Sequence, residues 1–364
     1  MKLKDKILHI GYLIIFIMTL ASCENGGPLF DEEGDCTTKV QFILKKHRQA
    51  LRQASGKETD VFYATVETVH LFVFDKESGQ LVFERIEKTD NLKSAAELGL
   101  GSGTDKSYMS IDVQPGTYKL IAWCGLDEND HNNAFQLVDA TRSLYSHCKI
   151  KFDASGKPVN QEKYQALYHG RVESAEIAVQ NQGSQVIPIE LTKNTNDITV
   201  WVQHTNATFE NGDYNVVYTD KNGTIRFEDN GIDNDDMLEY HPHTTQLLTS
   251  DSEYNGAQVE AGALIAHIST SRLMADNSES ARLEVKDSTG KTVYSLPFIK
   301  YLIQMQTFTD DQQYYLDCED TYNCTFYLTG GKEGDDGNWV PLQIIINNWT
   351  KVPDQSGEIV GSGN

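Results

Sequence analysis

The chain has 364 residues, of which 53 are acidic and 31 basic, for a formal charge of −22. That balance excludes nucleic acid and bare anionic lipid as electrostatic partners. A hydrophobic content of 39% supports folded cores, and the length exceeds what one core usually holds, so about two domains are expected.

Lys2, Lys4 and Lys6 precede an apolar run from Ile7 to Leu20, and Ala21 and Ser22 stand directly before Cys23. This order predicts a secretory signal peptide over 1–22. Leu20-Ala21-Ser22-Cys23 also fits the bacterial lipobox, in which the cysteine thiol takes a diacylglyceryl group, palmitate-like in its acyl chains, before the signal is removed. An uncleaved membrane span would need about 20 apolar residues, and Ile7–Leu20 supplies 14. Each buried methylene contributes about 0.8 kcal/mol, so two or more acyl chains hold a protein stably without a transmembrane helix. Cleavage would leave 28 basic and 52 acidic residues. The expectation is an exported lipoprotein, anchored through lipid on Cys23 and held at a bacterial envelope surface.

Residues 23–36 are acidic, glycine-rich and without periodicity, and read as a tether. That tether is either a sorting signal for the outer face or a plain solvated linker. Beyond Cys23 lie Cys36, Cys124, Cys148, Cys318 and Cys324, in an oxidising-permissive compartment. One of the five must stay unpaired, and the sequence does not select among the pairings of the rest. Cys318 and Cys324 flank a short polar stretch, Glu319 to Asn323, which makes an intra-hairpin bridge between them the leading candidate.

Short runs rich in β-branched and aromatic residues, separated by turn clusters, then predict sheets. In chain order these are 38–44, 65–74, 81–86, 108–113, 118–123, 176–179 and 186–191, with Ser78-Gly79 turning a hairpin over 75–80. The first run alternates apolar Val40, Phe42 and Leu44 with Lys39 and Gln41, as a half-buried strand should. Arg48 and Arg52 follow it in a polar segment. After a polar boundary at 192–196, a second set covers 197–204, 214–218, 223–227, 257–269, 281–285, 292–296, 324–328 and 342–347. Pro297 can open a short helix over 297–308, where Ile299, Leu302, Ile303 and Gln306 recur near helical spacing. The pattern predicts an all-β chain of two tandem antiparallel β-sandwiches, at 37–193 and 194–350, followed by a polar tail over 351–364.

Chemistry-bearing clusters are sparse. His241-Pro242-His243, with His267 downstream, suggests a metal site, but proline interrupts the strand and no third ligand is placed. Asp229, Asp233, Asp235, Asp236 and Glu239 are dense enough for calcium, yet they do not keep the register of a calcium loop and read as a solvated acidic loop. Gly101-Ser102-Gly103 lacks the preceding apolar strand of a phosphate loop. No nucleophile elbow, zinc helix or nucleotide fingerprint is present, so neither an enzyme, a metal site nor a cofactor is expected. Tyr314, Tyr315, Tyr322, Trp339 and Trp349 gather near the end of the chain and could stack on sugars, although strand packing is the commoner fate of aromatics.

Several segments together carry a resemblance. Pro115-Gly116-Thr117-Tyr118-Lys119-Leu120-Ile121-Ala122-Trp123-Cys124-Gly125, Leu167-Tyr168-His169-Gly170, and Leu191-Thr192-Lys193 with Ile198-Thr199-Val200 mark the first part. Tyr315-Leu316-Asp317-Cys318-Glu319-Asp320-Thr321-Tyr322, then Thr325-Phe326-Tyr327-Leu328 and the closing Ile344-Ile345-Ile346-Asn347-Asn348-Trp349, mark the second. In their shared order these resemble the FimB-type anchor and accessory lipoproteins of type V fimbriae from anaerobic Gram-negative bacteria. Cys318 stands where that family has arginine, and Asn348 where it has glycine. The resemblance implies two transthyretin-like sandwiches tethered to the outer membrane and exposed at the cell surface, a role in cell adhesion and fimbrial assembly, and fimbrial subunits as partners bound through strands. In polymerising members a protease cuts after an arginine beyond the first strand, and Arg48 and Arg52 lie where such a cut could fall. An anchor should instead keep its first strand. The competing reading is a surface glycan-binding lipoprotein of a nutrient-uptake system; any host ligand stays open.

Overall fold

The structure, a computed structural model, describes residues 38–44, 62, 66–127, 129, 132–138, 149–152, 163–178, 184–204, 214–233, 237–249, 253–254, 257–258, 262–305, 311–330, 339–346 and 349–351. Its first half holds β1 (Thr38–Leu44), β2 (Thr68–Asp75), β3 (Leu81–Lys88), β4 (Lys93–Ser94), β5 (Lys106–Ile111), β6 (Gly116–Cys124), β7 (Phe135–Val138), β8 (Lys149–Phe152), β9 (Tyr168–Ile177) and β10 (Val186–Lys193). The second half holds β11 (Thr195–His204), β12 (Tyr214–Asp220), β13 (Thr224–Arg226), β14 (Leu238–Tyr240), β15 (Thr244–Leu248), β16 (Glu253–Tyr254), β17 (Ala257–Gln258), β18 (Ala263–Ser271), β19 (Arg282–Asp287) and β20 (Thr292–Leu296). It closes with helices α1 (Phe298–Gln304) and α2 (Gln312–Asp317), then β21 (Thr321–Gly330), β22 (Trp339–Ile346) and β23 (Trp349–Lys351).

The expected all-β class holds, with the short helix after Pro297. Eight strands of the first half form one sheet in the order β3-β2-β6-β9-β10-β1-β5-β4. Its inward side chains, among them Val40, Phe42, Leu71, Leu120 and Ile189, make one core. In the second half a six-stranded sheet, β15-β18-β11-β21-β22-β23, packs against a four-stranded one, β14-β12-β19-β20. Ile198, Val200, Phe326 and Leu328 from the first of these share a core with Val216, Leu283 and Tyr294 from the second.

Among the described residues each half contains one parallel pair within an otherwise antiparallel arrangement: β1 beside β10 and β11 beside β21. Alternation explains β11, whose Ile198, Val200 and Val202 are buried while Asp197, Thr199, Trp201 and Gln203 are half-buried on the other face. β2 and β6 do not alternate, because both of their faces are covered. Val69, Leu71 and Val73 face the first core, whereas Phe72, Phe74, Ile121 and Trp123 face the larger cluster that continues into the second half. A three-stranded sheet, β13-β8-β7, also draws strands from both halves.

The expected 176–179 strand is the end of a longer β9, and two further expected elements differ. The 257–269 run is broken into β17 and β18. The Glu319–Asn323 stretch is not a hairpin turn: α2 ends at Asp317, and β21 has already begun at Thr321. Cys318 closes α2, while Cys324 lies inside β21 opposite Val200 and Ile346. The expected bridge is not formed; both are buried thiols without a disulfide between them.

Candidate functional site

Two regions carry functional interest, the slot that β1 fills and the seam between the halves. β1 enters the middle of its sheet. One edge runs parallel to β10, from Lys39 opposite Val186 to Leu44 opposite Leu191, and the other runs antiparallel to β5 from Thr38 opposite Ile111 to Gln41 opposite Tyr108. Val40 and Phe42 are fully buried, and Phe42 stacks on Phe62 at 5.8 Å between ring centroids. Lys39 is buried as well, and its Nζ donates to Ser110 Oγ on β5 at 2.9 Å. Burying Val40 and Phe42 contributes about 1.5–3 kcal/mol each, so β1 is a structural member of the core.

The seam gathers the recognised sequence segments into one place. Trp123 sits opposite His169 across β6 and β9, with ring centroids 4.7 Å apart. Trp123 Nε1 donates to the Phe227 carbonyl of the second half at 3.3 Å, and Phe72 meets the Phe227 ring edge-on at 4.9 Å. His169 is fully enclosed there. Burial, reinforced by the Arg272 and Arg171 guanidiniums, pushes its pKa down to about 3, so the ring is neutral at physiological pH. Lys119, also buried, reaches Glu228 at 2.5 Å and Glu173 at 3.1 Å. Burial works against its charge, but the two carboxylates outweigh it and hold its pKa above the usual value.

A second layer of the seam fixes the link between β10 and β11. Asn194 and Asn230 exchange side-chain amide hydrogen bonds at 2.6 and 3.0 Å, and Asn230 holds a left-handed φ of 59°. Arg272 donates to the Asn230 carbonyl and clasps Asp317 of α2 through Nε at 3.0 Å and Nη2 at 2.8 Å. Lys193 donates to Asp320 at 2.8 Å. Two glycines of the same segments are set by space: Gly125 takes a φ of 96° against the Ala166 carbonyl, and a Cβ on Gly170 would lie 2.5 Å from the Glu190 carbonyl oxygen. Sequence reading singled out these segments but not their convergence, and it missed Asn194, Asn230 and Arg272 altogether.

The remaining expected sites fall as follows. Cys23, Arg48, Arg52, Cys36 and Cys148 lie outside the described residues. His243 stacks on His267 at 6.2 Å and donates its backbone N–H to the His267 carbonyl, while His241 meets Glu239 at 3.3 Å. Asp229 of the acidic loop is spent on Arg226, at 2.9 Å, and on the Gly231 N–H. Tyr315 and Tyr322 are buried and Tyr314 is exposed; the side chains of Trp339 and Trp349 are not described. Among the described helices none is long and apolar enough to cross a membrane.

Comparison with known proteins gives this architecture a context. The family model of fimbrillin-A-associated anchor proteins Mfa1 and Mfa2 matches residues 32–354. No curated protein matches the chain. A Bacteroides thetaiotaomicron structure described as a candidate adhesin is 24% identical, with a TM-score of 0.67 over 88% of this chain and 99% of that one. Another from the same organism, described as a candidate polysaccharide-binding protein, is 21% identical with a TM-score of 0.66, covering 89% and 100%. The fimbrial anchor protein Mfa2 from Porphyromonas gingivalis is 17% identical with a TM-score of 0.59, covering 86% and 99%. At these identities the structural likeness shows a shared fold, and the family match over nearly the whole chain shows descent. The chain therefore belongs to the fimbrillin-A-associated anchor protein family.

Proposed function

We propose that the chain is an outer-membrane lipoprotein, held by acyl chains on Cys23, that serves as an anchor or accessory subunit of a fimbria. Its two sandwich units, 37–193 and 194–350, bind a neighbouring fimbrial subunit by strand pairing, in which backbone hydrogen bonds supply affinity and alternate side chains fill pockets. The observation that supports an anchor over a polymerising subunit is β1, bonded along both edges and with Val40 and Phe42 in the core. A chain that keeps this strand has no vacant groove there for a donor from the next subunit, so growth stops at it.

The test is made on protein from the native cell surface. Mass measurement should give an intact start at acylated Cys23, and Cys23→Ala should move folded protein from the membrane fraction to the soluble one. A new amino terminus after Arg48 or Arg52 would make the chain a polymerising subunit, and a Cys23→Ala protein still held in the membrane would sink the lipid anchor.

A further inference from the structure

Among the described residues β3, with 8 residues, is the longest strand at the edge of a sheet; it pairs with β2 on one side and with no strand on the other. The outward backbone groups follow from one bond. In an antiparallel pair, alternate residues turn both their N–H and C=O to the same neighbour. The Thr89 N–H donates to the Glu67 carbonyl at 3.0 Å, in the register that sets Glu87 opposite Val69 and Arg85 opposite Leu71. Arg85 and Glu87 therefore bond to β2, and Glu84, Ile86 and Lys88 hold their N–H and C=O toward the open edge.

An open edge invites another strand, and proteins usually repel it with charge. Here Glu84, Arg85 and Lys88 are exposed, and Ile86 and Glu87 are half-buried. Two copies of one edge can join in a single sheet only about a two-fold axis along the sheet normal, which makes the strands antiparallel and keeps each side chain on its own face. An axis at Glu84, Arg85 or Glu87 would set a charge against its own kind, which is destabilising. An axis at Ile86 does the reverse. Glu84 then lies opposite Lys88 of the other copy on one face of the sheet, Arg85 lies opposite Glu87 on the other face, and Ile86 meets its own counterpart. The order Glu-Arg-Ile-Glu-Lys is thus its own electrostatic complement.

The backbone agrees with the charges. The Ile86 register brings together Glu84, Ile86 and Lys88, the residues whose N–H and C=O point outward, so each opposed pair can exchange two hydrogen bonds. Within the chain Arg85 Nη1 donates to the Ser110 carbonyl at 3.2 Å, Glu87 accepts from Asn91 at 2.6 Å, and Glu84 meets His70 at 2.8 Å. A guanidinium and a carboxylate each hold several bonds at once, so these contacts orient the side chains without using them up. From this we infer that two copies of the chain join edge to edge through β3, with Ile86 on the two-fold axis, to form one continuous sheet. β1 and β11 take no part, so this pairing is independent of fimbrial strand binding. A single strand edge gives an interface of the weak, transient class.

The test is sedimentation of the purified chain over a range of concentrations, in about 0.15 M salt so that repulsion between the molecules is screened beyond about 8 Å. A monomer to dimer transition should appear in the tens of micromolar. Ile86→Pro removes an outward N–H while leaving the bonds to β2, and should abolish the dimer. Arg85→Glu and Glu87→Arg each set like charges opposite in the other copy, and should each weaken pairing roughly tenfold or more. Mixed in equal amounts, these two variants should pair with each other, because an acid at 85 and at 87 in one copy then meets a base at 87 and at 85 in the other. That recovery separates a lost contact from a lost fold. A chain monomeric at hundreds of micromolar, a dimer indifferent to these changes, or no recovery in the mixture would each overturn the inference. So would an Ile86→Pro chain that loses a fimbrial subunit with its self-association unchanged, since the edge would then serve another partner. Lipidation at Cys23 does not enter this assay, so the anchor reading stands or falls separately.

Discussion

β1 and β11 open the two halves in the same manner, each flanked by a parallel partner on one side and an antiparallel partner on the other. They are held very differently. β1 pairs with β5 only over Thr38–Gln41, whereas β11 pairs with β18 over Thr195–Gln203 and with β21 over Asp197–His204. β11 is also locked at its start by Asn194, Lys193 and, through Asn230, by Arg272. The same topology thus produces one strand fixed mainly by its own buried side chains and one fixed by a network from four separate elements. The first slot is therefore the easier of the two to open.

The largest way to break this contrast is at Phe42. Phe42→Ala should cost about 4 kcal/mol through lost burial and the cavity left behind, and hydrogen exchange should then speed up in β1, β5 and β10 while β11, β18 and β21 keep their protection. Equal loss in both halves would mean the two slots are energetically one. Arg272→Ala should cost about 3 kcal/mol, because it leaves Asp317 as a buried carboxylate without its guanidinium, and it should loosen the start of β11 first. The more exposed Lys193→Ala should cost about 1 kcal/mol or less. Gly170→Ala should cost about 1–3 kcal/mol by forcing β9 away from β10, and protease sensitivity should rise in the first half alone.

Acid separates the regions by sign. His169 in the seam has its folded pKa pushed down to about 3 from 6.5, so below pH 6.5 the unfolded chain takes up a proton that the folded one refuses, and stability falls as pH drops from 6.5 toward 3. Asp220, inside the second half, is moved the other way. Burial, opposed by hydrogen bonds from Tyr218, the Lys221 N–H and Asn277, raises it to about 6 from 3.8, so its contribution is present below pH 3.8 and is lost as pH rises through 6. In urea melts across this range, His169→Gln should flatten the acid decline and Asp220→Asn should steepen it. The smallest effect concerns Cys318 and Cys324: non-reducing peptide mapping should find both as thiols, with no change in melting temperature on adding reductant.

Much of this fold was legible where local pattern and burial agree. β1 and β20 fall on their expected limits, and the Ser78-Gly79 turn forms, with Gly79 at a φ of 71° and the Ser78 N–H and hydroxyl both donating to Asp75. β9 was mostly missed, because Gly170 and the outward Arg171, Glu173 and Glu176 break up its apolar signal. α2 was missed because Tyr314 and Tyr315 favour strands, although Asp311 capping the Tyr314 N–H was a readable start signal. The seam was not legible at all. Its bonds join Asn194 to Asn230, Trp123 to Phe227 and Lys193 to Asp320, and no local rule ties residues so far apart in sequence.

The parallel pairing of β1 with β10 has a mechanical meaning. β10 runs through Asn194 directly into β11, so a pull between the amino-terminal end of β1 and the second half draws two parallel neighbours past each other lengthwise. Loaded this way, the hydrogen bonds from Lys39 to Leu44 bear tension together, in shear, and cannot open one at a time as in an antiparallel zipper. A molecule tethered in front of Thr38 and gripped through its second half would resist detachment with the whole length of its first strand.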